Sequence, residues 1–293
     1  MRIASNKIGD IMRYFREELN GMYDEGELET MMAYCFEDFV NIKRAELSIR
    51  LNDTVSESDL LKFNFAVKDL KKFKPIQYIL GNTYFYGIKL KVNAAVLIPR
   101  PETEELVDWI LHDLQQSKSS ASMRLLDLGT GSGCIPIVLK KNMPSLDVSA
   151  MDVSDLALNL ARENAERNGA EIHFWHDDIL NPHPPLWSSR YDVMVSNPPY
   201  VCMSEKNEML ANVLDYEPHL ALFVPDNDPL LYYKAIADLA LRNLNKGGKI
   251  YFELNHNYGL ETKSMMEEKG FKNVIIKKDL NNKNRILRGE INE

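Results

Sequence analysis

Apolar residues in the first quarter of the chain recur at helical spacing. Ile8, Ile11, Met12, Phe15 and Leu19 share one helix face, and Leu28, Met31, Met32, Cys35 and Phe36 share another. Ser56-Glu57-Ser58-Asp59 has the composition of a helix start, a hydroxyl cap followed by acidic residues. The apolar side of that helix is expected to be Leu60, Leu61, Phe63, Phe65 and Val67. Glycine is scarce here and strand-like alternation is absent, so residues 1–75 are expected to form a small helical bundle. Thr83 to Val92 then alternates, rich in aromatic and β-branched residues, and predicts a β-hairpin within a linker spanning 76–93.

From residue 94 to 293 the pattern changes again. Apolar runs predict strands at Arg124–Leu128, Val148–Asp152, Ile172–Trp175, Tyr191–Ser196 and Lys249–Leu254. Helical segments are expected at Glu102–Gln116, Cys134–Lys141, Asp155–Asn168, Pro229–Leu244 and Tyr258–Lys269. Strand alternating with helix implies crossover units and a mostly parallel sheet covered on both faces, an α/β fold. Ser117–Ser122 reads as a polar connector, and Asn181-Pro182-His183-Pro184-Pro185 as a stiff loop.

Composition narrows the classes. Of 293 residues, 45% are hydrophobic and 27% charged, which excludes a disordered or collagen-like chain. Lys and Arg number 35 against 43 Asp and Glu, a net charge of −8. A protein built to bind a phosphate backbone usually carries a basic surplus, so nucleic acid is not expected as a direct partner. Cys35, Cys134 and Cys202 are too far apart to suggest a disulfide framework or a metal-binding pair, and reduced thiols are expected. No run approaches the roughly 18 apolar residues of a membrane span, and the N-terminus lacks an apolar leader. A soluble, cytoplasmic protein without metal is the expectation.

Two segments carry chemistry. In Leu125-Leu126-Asp127-Leu128-Gly129-Thr130-Gly131-Ser132-Gly133 a buried strand runs into a glycine-rich turn and a helix. Glycines at alternate positions admit positive φ and close approach of a ligand, and the exposed N–H groups favour a polar or anionic group. The dinucleotide spacing G-x-G-x-x-G would require glycine where Cys134 stands, which argues against NAD. Asp152, at the end of the next strand, is placed to accept both hydroxyls of a ribose, although it could instead serve as a helix cap, a role Ser154 or Asp155 could also fill. Asp127 either holds the loop or touches the amino-acid end of a cofactor.

The second segment is Tyr191-Asp192-Val193-Met194-Val195-Ser196-Asn197-Pro198-Pro199-Tyr200. Its prolines fix φ and remove two N–H donors, so this region offers carbonyl acceptors. Asn197 adds a side-chain acceptor and Tyr200 a flat face. Together they form a seat for a planar NH₂ group.

Asn197-Pro198-Pro199-Tyr200 resembles the (D/N/S)PP(Y/F) motif of S-adenosylmethionine-dependent methyltransferases that act on nitrogen in a conjugated NH₂. Leu97-Ile98-Pro99-Arg100-Pro101-Glu102-Thr103-Glu104 resembles a narrower signature, that of the PrmC/HemK protein-(glutamine-N5) methyltransferases of class-1 peptide chain release factors. Phe85-Tyr86-Gly87, the Asp127–Gly133 turn, Asp152 and Tyr216-Glu217-Pro218 with Ala221-Leu222 follow in that family's order; Pro136 departs from it, within a first helical turn that tolerates proline. The resemblance implies a Rossmann-like class I methyltransferase sheet with a small N-terminal helical bundle that recognises the substrate, joined by the hairpin. It implies S-adenosyl-L-methionine as cofactor, S-adenosylhomocysteine as product, and a release factor as protein partner. Gly129, Thr130, Gly131, Ser132 and Gly133 would wrap the methionine part, Asp152 the ribose, and Asp178 or Ile179 the adenine. Asn197 would touch cofactor and substrate, and Asn197, Pro198, Pro199 and Tyr200 would hold the glutamine amide.

An amide nitrogen is a weak nucleophile because its lone pair is delocalised into the carbonyl. Two acceptors on its hydrogens would free that lone pair and stabilise the positive charge that builds on nitrogen. No dedicated general base is required, and His173, His176 and His183 are expected to be solvated or packed. Two rival readings use the same segments: a nucleic-acid N-methyltransferase acting on a flipped base, and a binding module without turnover.

Overall fold

The protein is described by a computed structural model covering residues 3–116, 123–183 and 189–292. The polar connector at 117–122 and the last two positions of the loop at 181–185 lie outside the described residues. Two compact units make up the chain: Met1–Gly81 with Leu210–Tyr216, and Asn82–Met209 with Glu217–Glu293.

The first unit contains α1 (Ile8–Glu18), α2 (Glu25–Val40), α3 (Arg44–Leu47), α4 (Glu57–Leu70) and α5 (Ile76–Leu80). Helical structure thus continues past residue 75 to Leu80. The Ser56 hydroxyl accepts from Asp59 N and caps α4, as the local sequence predicts. Phe63 is fully buried at the centre of the bundle, with ring centroids of Phe36 at 4.6 Å, Phe39 at 5.2 Å and Phe15 at 6.2 Å. One expectation fails on α4. Leu61 and Phe65 are 55% and 60% exposed, because they lie one turn apart on a different face from Phe63, Val67 and Leu70.

In the second unit, β1 (Asn82–Phe85) and β2 (Ile88–Lys91) form the expected antiparallel hairpin. Its turn residues Tyr86 and Gly87 both have positive φ, 49° and 75°, the geometry that matches the strand twist in a two-residue hairpin. Next come α6 (Pro101–Gln116), β3 (Arg124–Leu128), α7 (Cys134–Asn142), β4 (Asp147–Asp152), α8 (Asp155–Arg167), β5 (His173–His176), β6 (Tyr191–Ser196) and the short β7 (Val201–Cys202). The excursion that returns to the first unit carries α9 (Ala211–Leu214). The unit closes with β8 (Phe223–Val224), α10 (Leu231–Asn243), β9 (Leu244–Glu253), α11 (Gly259–Glu268), β10 (Lys272–Lys278) and β11 (Asn284–Glu290).

Seven strands form one sheet in the order β10-β11-β9-β6-β3-β4-β5, and β11 alone runs against the others. Alternate residues point to opposite faces, and both faces are covered. Leu125, Val148, Val193 and Val195 pack with α6 and α7, whereas Leu126, Met151, Met194 and Ile250 pack with α10 and α11. Two-sided burial is why these strands read as continuous apolar runs. The chain leaves β3 for β4 on one side and later returns to β6 on the other. That reversal opens a crevice at the carboxyl ends of β3, β4 and β6, where such sheets bind ligands. Among the described residues, no helix is long and apolar enough to cross a membrane.

Candidate functional site

The crevice holds a cleft of about 510 Å³, a size suited to a nucleoside-containing ligand. Its floor is the turn after β3. Gly129, Gly131 and Gly133 have φ of 74°, 55° and 80°. They differ in what surrounds them. A Cβ on Gly131 would meet nothing within 4 Å, whereas one on Gly133 would lie 3.1 Å from Ile137 Cδ1 and 3.2 Å from Ala161 Cβ. Gly131 therefore serves open approach to the cleft, and Gly133 the close packing of α7 against α8. Gly129 to Ser132 line the cleft; Gly133 does not.

Below the turn lies a set of buried polar groups whose contacts fall short of good hydrogen-bond geometry. Asp127 is fully buried, and neither carboxylate oxygen meets hydrogen-bond geometry with any group; the same holds for the hydroxyls of Thr130 and Ser132. Burial pushes the Asp127 carboxyl up to about 7, the Thr130 hydroxyl pulls it down, and the Asp152 charge raises it further. The turn does not rely on Asp127: Gly129 N and Thr130 N both donate to Met151 O, and Gly131 N donates to Asp152. The link from Asp127 to the loop is the Thr130 hydroxyl, which lowers its pKa. A buried, orphaned carboxylate beside a cleft calls for a cationic partner.

Asp152 stands at the end of β4. Its Oδ2 accepts from Gly131 N and its Oδ1 from Ser154 N, both at 2.9 Å. The cap of α8 is Ser154, whose hydroxyl accepts from Ala157 N at 3.2 Å, so Asp152 is free of that duty. Each carboxylate oxygen keeps lone pairs for hydroxyls in the cleft. Burial raises the pKa of Asp152, against the lowering effect of those N–H bonds. Asp178 and Ile179 both line the cleft, and Ile179 Cδ1 abuts the Gly129 turn. Asp178 also accepts from Leu180 N and Asn181 Nδ2 at its own loop.

The remaining wall comes from the segment after β6. Asn197 and Pro199 line the cleft, whereas Pro198 and Tyr200 lie outside its wall. Pro198 is buried; Tyr200 is half-buried and directs its hydroxyl to Glu253 Oε1 at 3.0 Å. The Tyr200 backbone is pinned as well, its N–H donating to Leu222 O and its carbonyl accepting from Asn255 Nδ2. Asn197 Nδ2 donates to Thr103 Oγ1 at 3.3 Å, and Thr103 Oγ1 donates to Glu253 Oε2 at 2.6 Å.

Segments distant in sequence meet here. Tyr86 N donates to Glu104, and Glu217 accepts from Ile98 N at 3.1 Å and from Arg100. The hairpin turn, the Leu97–Glu104 stretch and Glu217 are therefore one hydrogen-bonded frame around the cleft mouth. Thr103 and Glu253 were assigned no role from sequence. The signal for Glu253 is a carboxylate set within the apolar run Ile250–Leu254. None of His173, His176 and His183 lines the cleft: His183 Nδ1 lies 2.8 Å from Asp177 Oδ1, and His176 Nε2 lies 2.8 Å from Val153 O. Among the described residues, no three His, Cys, Asp or Glu side chains are grouped to hold a metal ion.

Comparison with known proteins points to one family. Residues 10–81 match the PrmC N-terminal domain and residues 107–216 the methyltransferase small domain. A release factor glutamine methyltransferase of Flavobacterium psychrophilum is 45% identical, over 94% of this chain and 95% of its own length. That of Bacteroides thetaiotaomicron is 41% identical over 94% and 98%. Among solved structures, a methyltransferase from Pyrococcus furiosus superposes with a TM-score of 0.51 at 16% identity, covering 81% of this chain and 100% of that one, a likeness of fold.

Proposed function

The chain belongs to the release factor glutamine methyltransferase family, and on that premise we propose its reaction: transfer of a methyl group from S-adenosyl-L-methionine to the side-chain amide nitrogen of a release-factor glutamine. The glutamine is that of the Gly-Gly-Gln loop of class-1 peptide chain release factors. The products are N5-methylglutamine and S-adenosylhomocysteine. One observation carries the assignment of the site: the Gly129–Ser132 turn after β3, Asp152 and the acceptor Asn197 line a single cleft at the carboxyl ends of adjacent strands, with the fully buried Asp127 in the strand that leads into the turn.

The residues present fit the cofactor. Asp127 would hold the ammonium of its methionine part, whose charge satisfies the buried carboxylate. The turn from Gly129 to Ser132 would follow the methionine chain, with Gly133 securing the turn from beneath. Asp152 would take the ribose hydroxyls, and Asp178 and Ile179 would border the adenine. When bound, the cofactor supplies a methyl group activated by a sulfonium.

This chain's own contribution is to seat the amide. With its NH₂ held by Thr103, Asn197 keeps Oδ1 to accept one N–H of the glutamine. A carbonyl of the Pro198 region, which has no competing N–H donor, would accept the other. These bonds strengthen as positive charge develops on nitrogen, so they act on the transition state more than on the ground state. Pro199 lines the cleft with Asn197, and Tyr200, tied at its hydroxyl and backbone, keeps the segment rigid. No side chain need remove a proton first, because the methylated nitrogen loses its extra proton readily. In this reading the first unit, which matches the PrmC N-terminal domain, recognises the protein substrate, and the reaction is cytoplasmic and uses neither a metal nor nucleic acid as a direct partner.

The test is mass spectrometry of a release factor incubated with this protein and S-adenosyl-L-methionine. One methyl group on the glutamine of the Gly-Gly-Gln loop is expected; an unmodified glutamine with methylation elsewhere, or none, refutes the reading.

A further inference from the structure

Beside the amide seat runs a chain of hydrogen bonds whose direction is set by its far end. Glu253, the last residue of β9, is 1% exposed and accepts twice, from Thr103 Oγ1 at 2.6 Å and from the Tyr200 hydroxyl at 3.0 Å. Burial raises the pKa of Glu253, whereas the Thr103 and Tyr200 hydroxyls and the Arg285 charge favour its ionised form; as a carboxylate it has no proton to give, so the single hydroxyl proton of Thr103 is committed to it. Thr103, itself buried, then offers only lone pairs to its other neighbour, the Asn197 amide. An amide is two-faced. With Nδ2 drawn to Thr103, the group left for the cleft is Oδ1. Turned over, Oδ1 would face the lone pairs of Thr103, and the cleft would present an NH₂ to the N–H donors of an incoming glutamine.

We propose that Glu253, acting through Thr103, is a positioning residue that fixes the Asn197 amide with its oxygen toward the substrate. A carboxylate one hydroxyl removed from the reacting groups thereby decides whether this wall of the cleft accepts or donates. The inference rests on the reading of Asn197 as the acceptor for a glutamine amide. It also gives Thr103, inside the Leu97–Glu104 stretch, a task distinct from its neighbours, since Glu104 serves the hairpin and Arg100 serves Glu217. Tyr200 adds a second donor on the other carboxylate oxygen, Oε1, leaving Oε2 to Thr103.

The experiment uses the full chain with T103S, T103V and E253Q. T103V keeps the shape and removes the hydroxyl; E253Q introduces an NH₂ that is able to donate to Thr103 and reverse the chain. The expected result is a fall in kcat of roughly 10–100-fold for T103V and E253Q, short of the loss from removing an acceptor outright. T103S is expected to stay within about threefold of the parent, and the T103V/E253Q double variant to fall no further than the worse single one, because both act through one chain. S-adenosylhomocysteine affinity, measured by calorimetry, stays within about twofold in all of them. A readout independent of turnover is the Asn197 side-chain NH₂ signal in ¹⁵N correlation spectra, identified by its absence in N197A. Its hydrogens exchange slowly in the parent and in T103S, and rapidly in T103V and E253Q. Unchanged kcat in T103V, losses that multiply in the double variant, or an exchange rate indifferent to both substitutions would overturn the proposal. If the parent protein leaves the release-factor glutamine unmethylated while the exchange pattern holds, the functional reading fails and the positioning role stands.

Discussion

Asp127→Asn separates stability from cofactor binding in one substitution. The Asp127 carboxyl is pushed up to about 7 in the folded chain, against 3.8 for an ordinary aspartate, and the main cause is complete burial, which the Thr130 hydroxyl offsets only in part. Because the folded value is the higher one, the folded state holds its proton between about pH 4 and 7 while the unfolded state does not. Stability from this group is thus fully present below about 4 and is lost as pH rises through 7. At about 1.4 kcal/mol per unit, the penalty above pH 7 is on the order of 4 kcal/mol. Asparagine carries no charge to bury. Relative to D127N, the cofactor-free parent should lose roughly 2.5 kcal/mol between pH 5 and 8, a margin of about 5–10 °C in Tm if each kcal/mol is worth roughly 2–4 °C. Any fixed cost of the new NH₂ cancels, since only the change of the difference with pH is used. Saturating S-adenosylmethionine should abolish the effect in the parent, because the ammonium pairs with the carboxylate, and D127N should bind it far more weakly. The measurement is thermal unfolding of both proteins across that pH range, with and without cofactor. Parallel Tm curves in the absence of cofactor would show that Asp127 does not carry a buried, uncompensated charge.

Asn197→Ala should lower methyl transfer by roughly 10²–10³-fold with cofactor affinity little changed, as expected for loss of one transition-state acceptor; rates within twofold of the parent would exclude that role. Asp152→Ala should weaken S-adenosylhomocysteine binding in calorimetry by about 2 kcal/mol or more, through lost charge-assisted bonds and a loosened Gly131. Gly133→Ala should destabilise the second unit in urea unfolding by roughly 1–3 kcal/mol, since its Cβ would crowd Ile137 and Ala161 at positive φ, whereas Gly131→Ala meets open space and should cost less stability than cofactor affinity. Replacing the exposed pair Leu61 and Phe65 by serine should change stability by less than about 1 kcal/mol and raise the KM for release factor alone, if the first unit recognises the substrate.

The first unit shows how far periodicity reaches. Helices were legible because buried positions repeat every three to four residues, yet Leu61 and Phe65 sit at that same spacing on a face that no neighbour covers. Periodicity reports which residues share a face, not which face is buried. The edge hairpin of β10 and β11 escaped notice for a related reason. Lys272, Lys277 and Lys278 break the apolar run of β10, as charges do on strands at a sheet edge.

The strands, the glycine turn, Asp152 and the Asn-Pro-Pro-Tyr segment are written in short contiguous stretches, because backbone conformation and local acceptor chemistry depend on adjacent residues. Which of their readings holds is a matter of neighbours supplied from elsewhere in the chain. Ser154 takes the cap and releases Asp152; Met151 and Asp152 hold the backbone of the turn, a task Asp127 does not share; Thr103 from α6 links Asn197 to Glu253 from β9. Hydrogen bonds act over about 3 Å and have a direction, so groups 50 to 150 residues apart acquire a shared function only when the sheet brings them together.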